Sequence, residues 1–223
     1  LWSGSLFACI ARADYAGLLA GPFVLAVTLG LLGMGVICRA LKPLPVEGPA
    51  YSSLFEGGVR WNGCGLLALA ASAFGTEGGA LAALVFAPTV PLINVMCVVV
   101  LTIWGTSDVK PDARRVGMRI VTNPLIIACL LGAACNALGL FQTGPVADTA
   151  ALAGRAALPL ILMAIGAGLD FSALKARPKL LMLSVSLKLI IAPLVFIVLG
   201  RLFGVEGVAL ALLAAIGSTP GAA

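Results

Sequence analysis

Covalent catalysis needs a base, a nucleophile or a metal cage, and this sequence supplies little of any. It contains no histidine, which removes the commonest metal ligand and the side chain best suited to proton exchange near neutral pH. No Ser-His-Asp or Cys-His hydrolase can be assembled from it, so an enzyme is not expected. The six cysteines (Cys9, Cys38, Cys64, Cys97, Cys129 and Cys135) all lie in apolar stretches. None forms a C-x-x-C pair, and they read as buried small hydrophobes rather than ligands or a disulfide framework. The residues left for chemistry are polar ones set inside hydrophobic runs. These are Asn62-Gly63-Cys64-Gly65, Ser218-Thr219-Pro220, and the isolated Arg60, Asn94 and Lys188. Glycine costs roughly 1 kcal/mol and proline roughly 3 kcal/mol inside a helix, so the two patches mark places where a helix breaks. A broken helix bares backbone N–H and C=O groups, and an N-terminal end suits an anion. The chemistry implied is non-covalent binding of a small anion by amides and by Asn62, Ser218 and Thr219, without metal or cofactor.

The elements that position these residues must lie in lipid. Hydrophobic residues make up 61% of the 223 and charged residues 10%, against about 25% charged in a soluble domain; mean hydropathy is +1.13. Fourteen Lys+Arg and nine Asp+Glu cannot clothe a water-facing surface of this size. The same scarcity of charge excludes disorder, a coiled coil and nucleic-acid binding. Spans of about 20 apolar residues are expected at about 19–41, 57–74, 79–104, 120–140, 152–170 and 180–203. A leading stub covers about 1–11, and a further span begins at about 207. Both ends read as cut within a longer protein.

Basic residues set the orientation. Alternating across these spans, Arg39, Lys42, Lys110, Arg114, Arg115, Arg119, Lys175, Arg177 and Lys179 share one side, and Arg12, Arg155 and Arg201 share the other. The positive-inside rule places the first group, with the loop 105–119, in the cytoplasm. Arg60 and Lys188 fall at membrane depth, where a charge either pairs or faces a cavity, or else snorkels to the nearer interface.

An internal repeat accompanies this layout. Asp14-Tyr15…Pro22 matches Asp170-Phe171…Pro178 at a constant offset of 156, and the same offset sets Asn62-Gly63-Cys64-Gly65 on Ser218-Thr219-Pro220-Gly221. Helix disruptions in corresponding spans of two halves point to a transporter's substrate site. Five spans separate equivalent points, so the second copy is expected to be inverted. The fold expected is an all-α integral membrane protein of inverted five-helix repeats with two crossing broken helices.

The runs Arg60-Trp61-Asn62-Gly63, Phe74-Gly75-Thr76-Glu77-Gly78 and Pro91-Leu92-Ile93-Asn94-Val95 resemble the auxin efflux carrier family, in its bacterial branch. So do Asn123-Pro124-Leu125-Ile126, Arg155-Ala156-Ala157-Leu158-Pro159-Leu160, Gly166-Ala167-Gly168-Leu169, Lys188-Leu189…Pro193 and Ser218-Thr219-Pro220. The resemblance implies ten helices in two inverted repeats of five, with the fourth and ninth broken and crossing at the transport site. It implies a transport domain that moves against a scaffold, and secondary transport of organic anions such as dicarboxylates or auxin-like carboxylates. On that pattern residues 1–105 are the remainder of the first repeat, 106–119 a cytoplasmic loop, and 120–223 the second repeat through its ninth helix. The partners expected are a small carboxylate, the bilayer of the cytoplasmic membrane and a second copy of the chain. The plant members carry a proline after the asparagine of the first break, where this chain has Cys64 and Leu66 nearby.

Several residues keep two readings. Asn94 either bonds to a neighbouring helix or touches the cavity. Asn123 reads as a cap for the helix that Pro124 starts, and Asp170 as a span-end cap or a partner of Lys179 or another cytoplasmic base, rather than as a proton-coupling group. No phosphate-binding glycine motif occurs, so ATP-driven pumping has no support. The alternatives to a secondary carrier are a sodium-coupled organic-anion symporter of the bile-acid type and a non-transporting membrane scaffold. The first is weakened because Asn62, Ser218, Thr219 and Glu56 are the only candidate sodium ligands.

Overall fold

The computed structural model describes residues 21–42, 46–105, 113–140 and 177–219, with isolated positions at 144, 145, 149, 152, 163, 167 and 221. Among the described residues the structure is helical throughout, with no strand. The leading stub, the 152–170 span, Asp14 and Asp170 lie outside them.

Helix α1 (Pro22–Ala40) begins with a proline at its first turn, where the missing N–H has no partner to lose. Val24, Val27, Leu31, Met34 and Cys38 are buried, while Leu25, Leu29, Leu32 and Val36 are exposed. A helix apolar on every side belongs in a membrane or a large core. The second long span repeats the device. Helix α6 (Pro178–Leu202) runs 25 residues and starts on Pro178, 156 positions after Pro22. Inside it Leu187–Ile191 widen into a π-turn, with the Ala192 N–H donating to the Leu187 carbonyl. Pro193 follows directly. It can donate no hydrogen bond, and its ring crowds the carbonyl four residues back, so the helix takes in an extra residue just before it.

The expected span at 57–74 is corrected. The chain instead forms helix α2 (Gly48–Val59), a non-helical stretch at Arg60–Asn62, and then helix α3 (Gly63–Trp104). Hydropathy missed α2 because Gly48-Pro49-Ala50-Tyr51-Ser52-Ser53 is too polar to register as a span. Helix α3 is itself interrupted at Gly75 (φ 62, ψ −147). It then bends by 42° between Glu77–Phe86 and Pro88–Trp104, where Pro88 and Pro91 each remove a backbone donor.

A second correction concerns the basic loop expected at 105–119. Residues 113–121 form a helix, α4 (Ala113–Val121). Helix α5 (Pro124–Ala137) follows and is shorter than the 120–140 span expected. It starts on Pro124 with Asn123 immediately before it, and the Asn123 carbonyl accepts from the Ile127 N–H at 3.0 Å. Helix α7 (Gly207–Ser218) closes the described chain. By length and composition α1 and α6 can each cross a membrane, and the bent pair in α3 makes a third candidate.

The core lies where α1, α2, α3, α6 and α7 converge, with Tyr51, Leu66, Phe196, Leu212, Leu213 and Ile216 nearly inaccessible. Close approach depends on missing side chains. A β-carbon on Gly30 would lie 2.6 Å from the Phe196 ring, and one on Gly217 would lie 2.6 Å from the Pro193 backbone. A ring can swing aside, but backbone cannot. We therefore expect Gly217→Val to force α7 off α6 and to cost about 2 kcal/mol by overpacking. A lowered thermal midpoint in detergent, larger than that of Gly33→Val, checks this; Gly33 meets only the Val195 side chain, at 3.7 Å.

Of the cysteines described, Cys38 and Cys97 are buried and free, as expected. Cys135 is free but only partly buried, a correction to the fully buried reading.

Candidate functional site

Four helix ends gather at one end of the bundle. The Arg39 guanidinium lies 5.3 Å from the Trp104 ring, and the Lys42 ammonium 5.2 Å from the Tyr51 ring. Tyr51 in turn meets Trp104 edge to face at 5.3 Å. Arg177 bonds Glu47 at 2.7 Å. The end of α1, the start of α2, the end of α3 and the start of α6 therefore lie together, and Arg39, Lys42 and Arg177 share that end.

From there α2 runs inward. Its 12 residues span about 18 Å at 1.5 Å per residue, just past the middle of a hydrocarbon core of about 30 Å. Helix α6 leaves from the same end and is long and apolar enough to cross a membrane, and α7, also 12 residues, packs back against it. The two half-length helices stop in similar backbone geometry. Arg60 has φ −68 and ψ 145, and Thr219 has φ −63 and ψ 129. Their non-helical stretches touch: a β-carbon on Gly221 would lie 3.6 Å from the Arg60 carbonyl oxygen and 4.0 Å from the Gly57 α-carbon. The last helical residues, Val59 and Ser218, are 159 positions apart. The breaks are thus three residues out of register with the offset of 156 that relates Pro22 to Pro178.

Each residue at the first break has a distinct task. Asn62 is the N-cap of α3, and its side-chain oxygen accepts from the Gly65 N–H at 3.0 Å. That oxygen is used locally, which leaves the amide nitrogen as the group Asn62 can offer to a ligand. The cap also frames two further donors, because the Gly63 and Cys64 amides stand in the first turn and have no intrahelical acceptor. Gly63 is buried under Phe86, whose ring a β-carbon there would strike at 2.5 Å. Its α-carbon is a packing position, so only its backbone amide is left to meet a ligand. Gly65 is exposed. The Cys64 side chain and Pro220 lie outside the described residues.

Arg60 pairs with Glu56 one turn back at 3.6 Å, both partly exposed. Its backbone carbonyl accepts from the Lys188 ammonium at 2.7 Å, across 128 residues of sequence. Lys188 is only 7% exposed and sits in the π-turn of α6. Its side chain is thus buried and turned to the backbone of the first break. Beside it, Trp61 packs edge to face on Phe86 at 5.3 Å. Trp61 is 6% exposed, and its indole N–H is buried with no hydrogen-bond partner.

The second break offers less than its residue types suggest. The Ser218 hydroxyl donates back to Ala214 at 3.0 Å, and the Thr219 hydroxyl to the Ala215 carbonyl. Both are folded onto their own helix and keep only acceptor capacity for a ligand. Asn94 is buried, 6% exposed, in the outer limb of α3. Among the described residues no cluster of three or more His, Cys, Asp or Glu could hold a metal ion.

Trp61 went unremarked in the sequence except within a motif. The signal for it was a tryptophan between Arg60 and Asn62 at a mid-span break, where an indole N–H has no water to bond.

A family model described as membrane transport protein matches residues 109–223, more than half of the chain. Lys188, Ser218, Thr219 and Pro220 fall inside the match, and the first break and Asn94 fall before it. No curated protein matches the chain.

Proposed function

Because this chain belongs to the membrane transport protein family, the auxin efflux carrier type, we propose that it works as a secondary carrier. Its cargo is a small organic anion, moved across the cytoplasmic membrane by alternating access. The observation that carries this reading is the meeting of two half-length helices, α2 and α7, at non-helical stretches, which helices of that length would set near the middle of a bilayer. Unpaired backbone survives at that depth only where it lines a cavity or is buried in protein, and such paired interruptions are how carriers build substrate sites.

The site consists of the Asn62 amide nitrogen, the backbone of Gly63, Cys64 and Gly65, and the stretch Ser218–Thr219–Pro220. Arg60, Asn94 and Lys188 stand around it. The inverted arrangement of two five-helix repeats is part of the proposal. Support comes from Pro22 and Pro178 in equivalent places and from α2 and α7 as paired half-length helices. The end bearing Arg39, Lys42 and Arg177 faces the cytoplasm by the positive-inside rule. Helix α4, with Arg114, Arg115 and Arg119, lies along that surface.

Uptake of radiolabelled malonate, malate and indole-3-acetate into proteoliposomes of the full-length protein tests this. We expect saturable uptake of at least one acid over protein-free liposomes. Uptake indistinguishable from those liposomes for all three would remove the carrier reading.

A further inference from the structure

Resting on that reading, we propose that Lys188 and the indole N–H of Trp61 form the anion-recognition pair of the carrier, taking a substrate carboxylate directly and without sodium. Lys188 is a buried cation that no carboxylate meets among the described residues, where the ion pairs are Arg60–Glu56 and Arg177–Glu47. One of its three N–H groups is spent on the Arg60 carbonyl, and that carbonyl belongs to the peptide group whose nitrogen is Trp61's. The ammonium and the indole side chain are therefore both tied to one peptide group at the break, the first by its hydrogen bond and the second by the chain.

The indole contributes a second, independent observation. Its N–H is buried without a partner, and a buried donor left unmade is costly. A carboxylate is acceptor-only, with about four lone-pair sites on two oxygens. It can take one bond from the lysine and one from the indole while the Gly63 and Cys64 amides and the Asn62 nitrogen stand a turn away. A neutral amide would bring donors of its own against these donors. A sodium ion would be repelled by the ammonium, which sets this site apart from a sodium-coupled one.

Lysine at a helix C-terminus also has a purely structural use, since Arg60 is the C-cap of α2 and its carbonyl carries the negative end of the dipole. The experiment separates the two roles. Full-length protein in detergent is titrated calorimetrically with acetate, malonate, malate, citrate and indole-3-acetate, in sodium and in choline buffers, with malonamide as the neutral control. Thermal midpoints are recorded in parallel.

We expect the best-bound acid to bind equally in sodium and choline, and malonamide not to bind. We expect Lys188→Gln to weaken it about a hundredfold, and Lys188→Arg less than tenfold because the charge is kept. Trp61→Phe should weaken it about fivefold to tenfold with the thermal midpoint unchanged, the loss of one neutral hydrogen bond. If Lys188→Gln does not fold, Trp61→Phe and Lys188→Arg decide. Wild-type affinity in both Lys188→Gln and Trp61→Phe, or binding that requires sodium, overturns this inference and leaves the carrier standing. Failure of every acid to bind the wild-type protein overturns both.

Discussion

Asn62→Ala is expected to lower carboxylate uptake about fiftyfold in proteoliposomes while the protein still inserts. Two losses combine. Removing the cap from the Gly65 N–H costs about 1 kcal/mol of order at the start of α3, which moves the Gly63 and Cys64 amides off their line. Removing the amide nitrogen takes away a donor worth about 0.5–1.5 kcal/mol. Neighbouring substitutions divide these contributions. Asn62→Ser keeps a capping oxygen and loses the donor, so uptake should recover only in part. Asn62→Asp keeps the strongest kind of cap but sets a negative charge where an anion must sit, so uptake should stay low although the fold is at its most stable. Full uptake by the serine variant would mean that Asn62 is a cap and nothing more. Full uptake by the alanine variant would remove it from the site.

The second large effect is expected at Gly75. Its backbone, at φ 62 and ψ −147, occupies a region open almost solely to glycine, and a β-carbon there would meet nothing within 4 Å. The cost of Gly75→Ala is therefore torsional and free of any clash, up to about 3 kcal/mol. Either the thermal midpoint falls, or the inner limb of α3 straightens into Glu77–Phe86 and drags the Asn62 cap with it. Thermal unfolding read beside malonate uptake distinguishes the outcomes, and a variant unchanged in both would show that the break is dispensable. Gly139, also at positive φ (66) with open space around its β-carbon position, is the matched control. It ends α5, where relaxation disturbs less.

What could be read from the sequence follows hydropathy. Helices α1 and α6 were plain in it, each a long apolar run opened by a proline, and so was the helix start at Pro124. Hydropathy failed where half-spans are short and polar. Helix α2, rich in glycine and serine, vanished into an expected loop, and the span was placed too late, with Arg60 at its mouth and not at a mid-membrane break. Helix α4 is hidden for the opposite reason, because a run holding Arg114, Arg115 and Arg119 reads as a loop when only its charge is counted. Asn62 is legible as a polar residue at a break, but its bond from the Gly65 N–H is not, since a capping bond depends on where the helix starts. Ser218 and Thr219 were found for their hydroxyls, which the structure turns back onto α7. Lys188 and Arg60 were each picked out as charges at depth. Their contact could not be foreseen, because it joins a side chain to a backbone oxygen 128 residues away and follows no local rule.

That long-range bond bears on how the protein is made. At 5–20 residues per second, the ribosome needs about ten seconds to travel from Arg60 to Lys188. Through that interval the interrupted α2–α3 segment sits at the translocon with its carbonyl unclaimed. The early half must be sheltered, by lipid-facing chaperones or by delayed lateral release, until the later helix arrives to lock it.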